Sequence, residues 1–191
     1  MICGLDEAGR GPLAGPVCAA AVILPRNFPR EILGDSKKLS PSRREAARRV
    51  ICGGALWGIG WASAVEIDEI NILRASLLAM KRAYEELFRF AAVPGRPALR
   101  DVEAVADGLY TPDIPVPCRA LVKADAQVPE VMAASILAKT ARDRMMERYA
   151  WLYPEYGYDR HKGYPTRDHL ERIALHGPSP IQRITFKVKT V

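Results

Sequence analysis

Short apolar runs closed by glycine or proline alternate along this chain with stretches of helical periodicity, and that alternation restricts its fold more than any other feature. Residues 1–5 and 17–24 are rich in Val, Ile and Leu, and residues 55–63 (ALWGIGWAS) set two tryptophans among glycines. Brief apolar runs bounded by turn residues read as buried strands. Ser40 and Pro41 form an N-cap and first-turn pair, and the helix they open should run to the Gly53-Gly54 stop. Leu73, Leu77, Tyr84 and Phe88 recur near the helical period, which predicts a helix over residues 71–90. A Pro/Gly/Arg loop (VPGRPALRD) then leads to an expected strand at 102–106, and TPDIPVPC to another at 120–124. Residues 129–151 and 168–176 are helical again, the last closed by Gly177-Pro178. Strands and helices in this order imply an α/β domain on a mixed sheet.

The 191 residues are enough for one domain with a real core, and no uninterrupted apolar run approaches the roughly 18 residues of a membrane span. Acid stands where a signal peptide would carry its basic and apolar parts, so a cytoplasmic protein is expected. Cys3, Cys18, Cys52 and Cys118 lie far apart with no C-x-x-C pair, which points to reduced thiols and away from a disulfide framework or zinc site. Of the net charge of +6, residues 139–191 carry 11 basic and 6 acidic side chains against 17 and 16 in residues 1–138. A second basic cluster, Lys37, Lys38, Arg43, Arg44, Arg48 and Arg49, is opposed between positions 35 and 49 by Asp35 and Glu45 alone. Such patches suit a polyanion; they also suit a plain solvated surface.

Three strand-like runs end on acid: ICGL at Asp6-Glu7, VEAVA at Asp107 and ALVKA at Asp125. Strand ends in α/β sheets form one rim, where carboxylates from different strands can meet. Their repulsion calls for protons or a cation. Mg²⁺ takes oxygen ligands and bridges carboxylates to a substrate phosphate, and two such ions would activate a water and stabilise the leaving oxygen. Adjacent strand residues face opposite sides, so Asp6 and Glu7 can share a site only if the strand ends or distorts there. Taken singly, each acid could equally cap a helix or pair with an arginine.

DEAGRGPLAGPV (residues 6–17) resembles the opening of bacterial ribonuclease HII, the type 2 ribonuclease H. The likeness continues in family order through DSKKLS, EIDEINIL, Asp107-Gly108, VKAD, AASILAKTARD and HKGYPT. It implies an α/β, ribonuclease H-like fold over residues 1–191: one catalytic domain, a mixed β-sheet flanked by helices, with a basic helical C-terminal part from about residue 139 packed on the core. It implies an endonuclease that cuts the RNA strand of RNA/DNA hybrids and cuts 5′ of single ribonucleotides in duplex DNA, leaving 3′-hydroxyl and 5′-phosphate ends. By resemblance, Asp6, Glu7, Asp107 and Asp125 are the catalytic acids that hold Mg²⁺ or Mn²⁺. Gly9, Arg10 and Gly11 match a substrate-binding loop, Tyr164 the tyrosine that stacks on the sugar at the RNA–DNA junction, and Lys37 a phosphate contact. Lys139 and Asp143 would support the active-site helix, and the family suggests a monomer.

The chain also departs from the family. Leu109 stands where Asn is frequent, Ala124 replaces a Gly, and residues 182–186 (QRITF) replace a His-Arg-x-Ser-Phe pattern, which leaves the role of that segment open. A sliding-clamp contact there is a further partner reading. Type HIII enzymes lack an arginine in the glycine loop, so Arg10 favours type HII. A hybrid-binding protein without activity should have lost one of the four acids, and all are present.

Overall fold

The computed structural model describes residues 1–36, 38–91 and 101–186. Lys37 and residues 92–100 and 187–191 lie outside them. The strands are β1 (Ile2–Ala8), β2 (Val17–Ile23), β3 (Leu56–Ala62), β4 (Glu103–Asp107) and β5 (Cys118–Leu121). They form one mixed sheet in the order β3-β2-β1-β4-β5, with β1 antiparallel to β2 and parallel to β4. The helices are α1 (Pro41–Gly54), α2 (Ala64–Ala91), α3 (Pro129–Leu152), α4 (Tyr158–His161) and α5 (Arg167–His176).

β2 is buried along its whole length, as a central strand covered on both faces should be. Its alternation divides the core. Val17, Ala19, Ala21 and Ile23 join Cys3 and Leu5 against Ala79, Met80, Ala83 and Leu87 of α2. Ala20 and Val22 pack on the other face with Ile51 of α1 and Ile136, Leu137 and Ala138 of α3. A Cβ at Gly58 or Gly60 would fall within 2.3 Å of an α2 carbonyl oxygen, so the glycines of β3 are what let that helix lie flat on the sheet.

Three expectations shift. α2 starts at Ala64, seven residues before the expected Asn71, because Ser63 and Glu66 form a reciprocal capping box: Ser63 N–H donates to Glu66 at 2.8 Å and Glu66 N–H to Ser63 Oγ at 3.1 Å. Asn71 sits inside α2 at φ 68°, where its Oδ1 accepts the N–H groups of Leu73 and Arg74 and restarts the helix. β5 lies at Cys118–Leu121 instead of 120–124. Its ladder with β4 ends at Asp107–Leu121, and Ala124 N–H is taken by the Asp107 carboxylate at 2.7 Å. α3 runs unbroken through residue 139, so the basic C-terminal third begins inside a core helix. Cys3 and Cys18 are buried, and all four cysteines are free thiols.

Candidate active site

Asp6 and Glu7 lie within β1, not beyond its end, because pairing with β2 continues to Ala8–Cys18. Their side chains therefore leave opposite faces of the sheet. Asp6 turns to the α3 face, where Ser135 hydrogen-bonds its carboxyl and Ser36 stands 2.8 Å from Ser135. Glu7 turns to the α2 face, alongside Leu73, Ser76 and Leu77. The strand needs no distortion, because both acids sit near its tip, Asp6 one step and Glu7 two steps past the register Leu5–Ala106 that brings Asp107 alongside.

The charges feel one another. Asp6 is 5% exposed. Burial pushes its carboxyl well above the usual range, the Glu7 charge and then Asp107 add to this, and the Ser135 bond opposes it. Burial also raises Glu7, against the pull of Arg10, whose guanidinium is 3.3 Å from Glu7 Oε1. Asp125 stands in the one-turn 3-10 helix Ala124–Ala126, next to the Ala124 N–H held by Asp107. It is thus a turn residue, not the strand-end residue expected. Among the described residues, no three Asp, Glu, His or Cys side chains close into a ready-made ligand cage. The donor set still fits a hard divalent cation: carboxylate oxygens, one of them deeply buried, whose mutual repulsion a cation would relieve.

Beside this rim opens a cleft of about 240 Å³ lined by Glu7, Arg10, Ser36, Lys139, Arg142 and Tyr164, among others. Gly9 and Gly11 also border it. Tyr164 is 41% exposed, and its ring lies 6.0 Å from the Arg142 guanidinium carbon. His161 and His169, stacked with centroids 4.4 Å apart, fix its loop: His169 Nδ1 is 3.0 Å from the Tyr164 carbonyl, and Gly163 N–H donates to His161 Nδ1. Lys139 pairs with Asp143 at 2.8 Å on the cleft wall. The structure thus gathers Asp6, Glu7, Asp107, Gly9, Arg10, Gly11 and Tyr164 around one site, with Asp125 at its margin. Leu109 is 74% exposed at the Asp107 end. Ser36, Ser135 and Arg142 escaped the sequence reading; short local motifs carry no signal for which serine will face a carboxylate across the fold.

A family model described as Ribonuclease HII matches residues 3–189. The chain belongs to the ribonuclease HII family. It is an endoribonuclease that hydrolyses phosphodiester bonds. Ribonuclease HII of Treponema denticola is 56% identical over the full length of both chains. The ribonuclease HII of Archaeoglobus fulgidus, solved in complex with PCNA, superposes with a TM-score of 0.73 at 28% identity, covering 100% of this chain and 97% of that one. Bst-RNase HIII, solved in complex with Mn²⁺, has a TM-score of 0.71 at 18% identity over 91% of this chain and 69% of its own, and shows the shared fold. Among the described residues, no helix of this ribonuclease HII is long and apolar enough to cross a membrane.

Proposed function

We propose that this ribonuclease HII cleaves the RNA strand of RNA/DNA hybrids and cuts 5′ of single ribonucleotides in duplex DNA, leaving 3′-hydroxyl and 5′-phosphate ends. The observation that carries this reading is the crowding of Asp6, Glu7 and Asp107 charge at adjacent strand tips, beside a cleft walled by Arg10 and Tyr164. Asp6, Glu7, Asp107 and Asp125 would hold Mg²⁺ or Mn²⁺, which supplies an activated water and charge for the leaving oxygen. Ser135 keeps the Asp6 carboxyl aimed at the rim. Tyr164 offers a flat face to the sugar and a hydroxyl able to sense a 2′-OH. Gly9, Arg10 and Gly11 let backbone approach the nucleotide, and Lys37, outside the described residues, would add a phosphate contact.

The whole chain would act as one monomeric cytoplasmic domain. A sliding-clamp contact through residues 182–186 belongs to the same proposal; there Arg183 is buried, Phe186 packs partly on the core and Ile184 is exposed. The deciding experiment incubates purified protein with a DNA duplex carrying one ribonucleotide, in Mg²⁺ and then Mn²⁺. Incision on the 5′ side of that ribonucleotide is expected. An intact duplex in both metals would overturn the reading.

A further inference from the structure

Two arginines lie beneath the Gly9-Arg10-Gly11 turn, each 1% exposed. Arg183, from the segment whose sequence departs from the family, donates Nε to Gly15 O (2.9 Å), Nη1 to Arg10 O (3.1 Å) and Pro12 O (2.8 Å), and Nη2 to Gly9 O (2.6 Å). Arg142, from α3, donates to the carbonyls of Pro16 (3.0 Å), Ala14 (3.2 Å) and Lys162 (3.0 Å), the last just before the Tyr164 loop. All these acceptors are neutral. The carboxylates that bear on the two guanidiniums are engaged elsewhere: Asp68 accepts the N–H groups of Ile184 and Thr185, and Asp143 pairs with Lys139. Two positive charges are therefore buried side by side without an ion pair among the described residues, normally an unfavourable arrangement. Burial, with Arg142 adding to it, brings Arg183 down to about 9, which leaves it charged at neutral pH.

The arrangement has a directional consequence. The carbonyls of Gly9, Arg10 and Pro12 are drawn inward, while Arg10 and Gly11 are exposed and their N–H groups meet no acceptor among the described residues. Successive outward N–H groups over a positive floor make an anion-binding concavity. Gly9 is required for it: φ is 102°, and a Cβ there would lie 2.0 Å from Arg142 Nε.

We propose that Arg142 and Arg183 are positioning residues for nucleic-acid binding, which hold the 9–16 segment so that the Arg10 and Gly11 N–H groups face the substrate backbone and whose unpaired charges are met by its phosphate. The inference deepens the hybrid-cleavage reading and rests on it. Wild-type cleavage at the ribonucleotide tests that reading separately; the variants test the arginines. Arg183→Lys keeps the charge but loses the planar fork, so it cannot serve all four carbonyls. Its KM for the ribonucleotide-bearing duplex should rise about tenfold, from lost charge-assisted hydrogen bonds, with kcat within about threefold of wild type. Arg183→Met, which removes the charge too, should raise KM further. An unchanged KM, equal KM values for the two variants, or a loss confined to kcat would overturn the proposal. Because a substitution could unfold the loop, a second measurement uses the wild-type protein. In EDTA, where the proposed metal-dependent cutting should stop, the ¹⁵N resonances of the Arg10 and Gly11 amides and of Arg142 and Arg183 Nε–H should shift as hybrid is added. Absence of binding, or binding that leaves these resonances in place, overturns it.

Discussion

Asp6 is buried beneath the sheet tip with Ser135 and two neighbouring acids for company, and its carboxyl is held toward the protonated form by that burial. Asparagine preserves the shape and an oxygen for the Glu7 N–H, which donates to Asp6 Oδ1 at 2.7 Å. Asp6→Asn should therefore reduce cleavage about 10³-fold or more while hybrid affinity stays within a few-fold, because metal chemistry and phosphate affinity are separable. Cleavage rates and filter binding on the same preparation would check this; equal loss of both would argue against a metal role. Tyr164 gives a different signature. Removing its ring in Tyr164→Ala should slow incision at a single ribonucleotide by about tenfold or more, the value of one stacked sugar or base. Unchanged single-turnover rates would refute its role at the junction.

Among the elements, α2 carries its own start signal. The Arg82 hydrogen bond, with help from Ser63, holds the Glu66 carboxyl at about 2. Arg82 Nη2 reaches Glu66 at 2.7 Å and its Nη1 reaches Trp61 O at 2.7 Å, so one guanidinium ties the helix start to β3. A carboxyl whose folded value is depressed contributes stability that is fully present above its unfolded value of about 4.3 and is lost as pH falls through the folded value. Glu66→Gln should thus lower stability at pH 7 by about 1 kcal/mol, a modest figure because solvent screens this partly exposed pair. The gap between variant and wild type should shrink from pH 4.5 toward pH 2. Urea melts across that range would measure it; a gap independent of pH would show that the ion pair contributes nothing.

For the whole molecule, net charge conceals a separation. The acids gather at the strand tips, while basic side chains surround the cleft and the C-terminal third. Binding should depend steeply on salt, with hybrid affinity falling about tenfold or more between 50 and 200 mM, as a few neutralised phosphates require. A flat salt titration would oppose phosphate gripping as the source of affinity. The amino-acid sequence alone determined the α/β class, the mixed sheet and four of the five helices, and it nominated the acids proposed for the site, because these follow from local periodicity, turn residues and ordered motif blocks. The start of α2 is legible in the local Ser63/Glu66 capping box, although periodicity displaces it to Asn71, where the helix restarts. The end of β5 is not legible in the sequence, since a carboxylate 17 positions away captures the Ala124 N–H. Arg142 and Arg183 were beyond it for a stronger reason. Arginine is ordinarily a surface residue, and their carbonyl partners lie more than 100 positions away in sequence, apart from Lys162 for Arg142. Only tertiary packing brings such groups together, because hydrogen-bond satisfaction of a buried charge is a property of the assembled fold and not of any window of the chain.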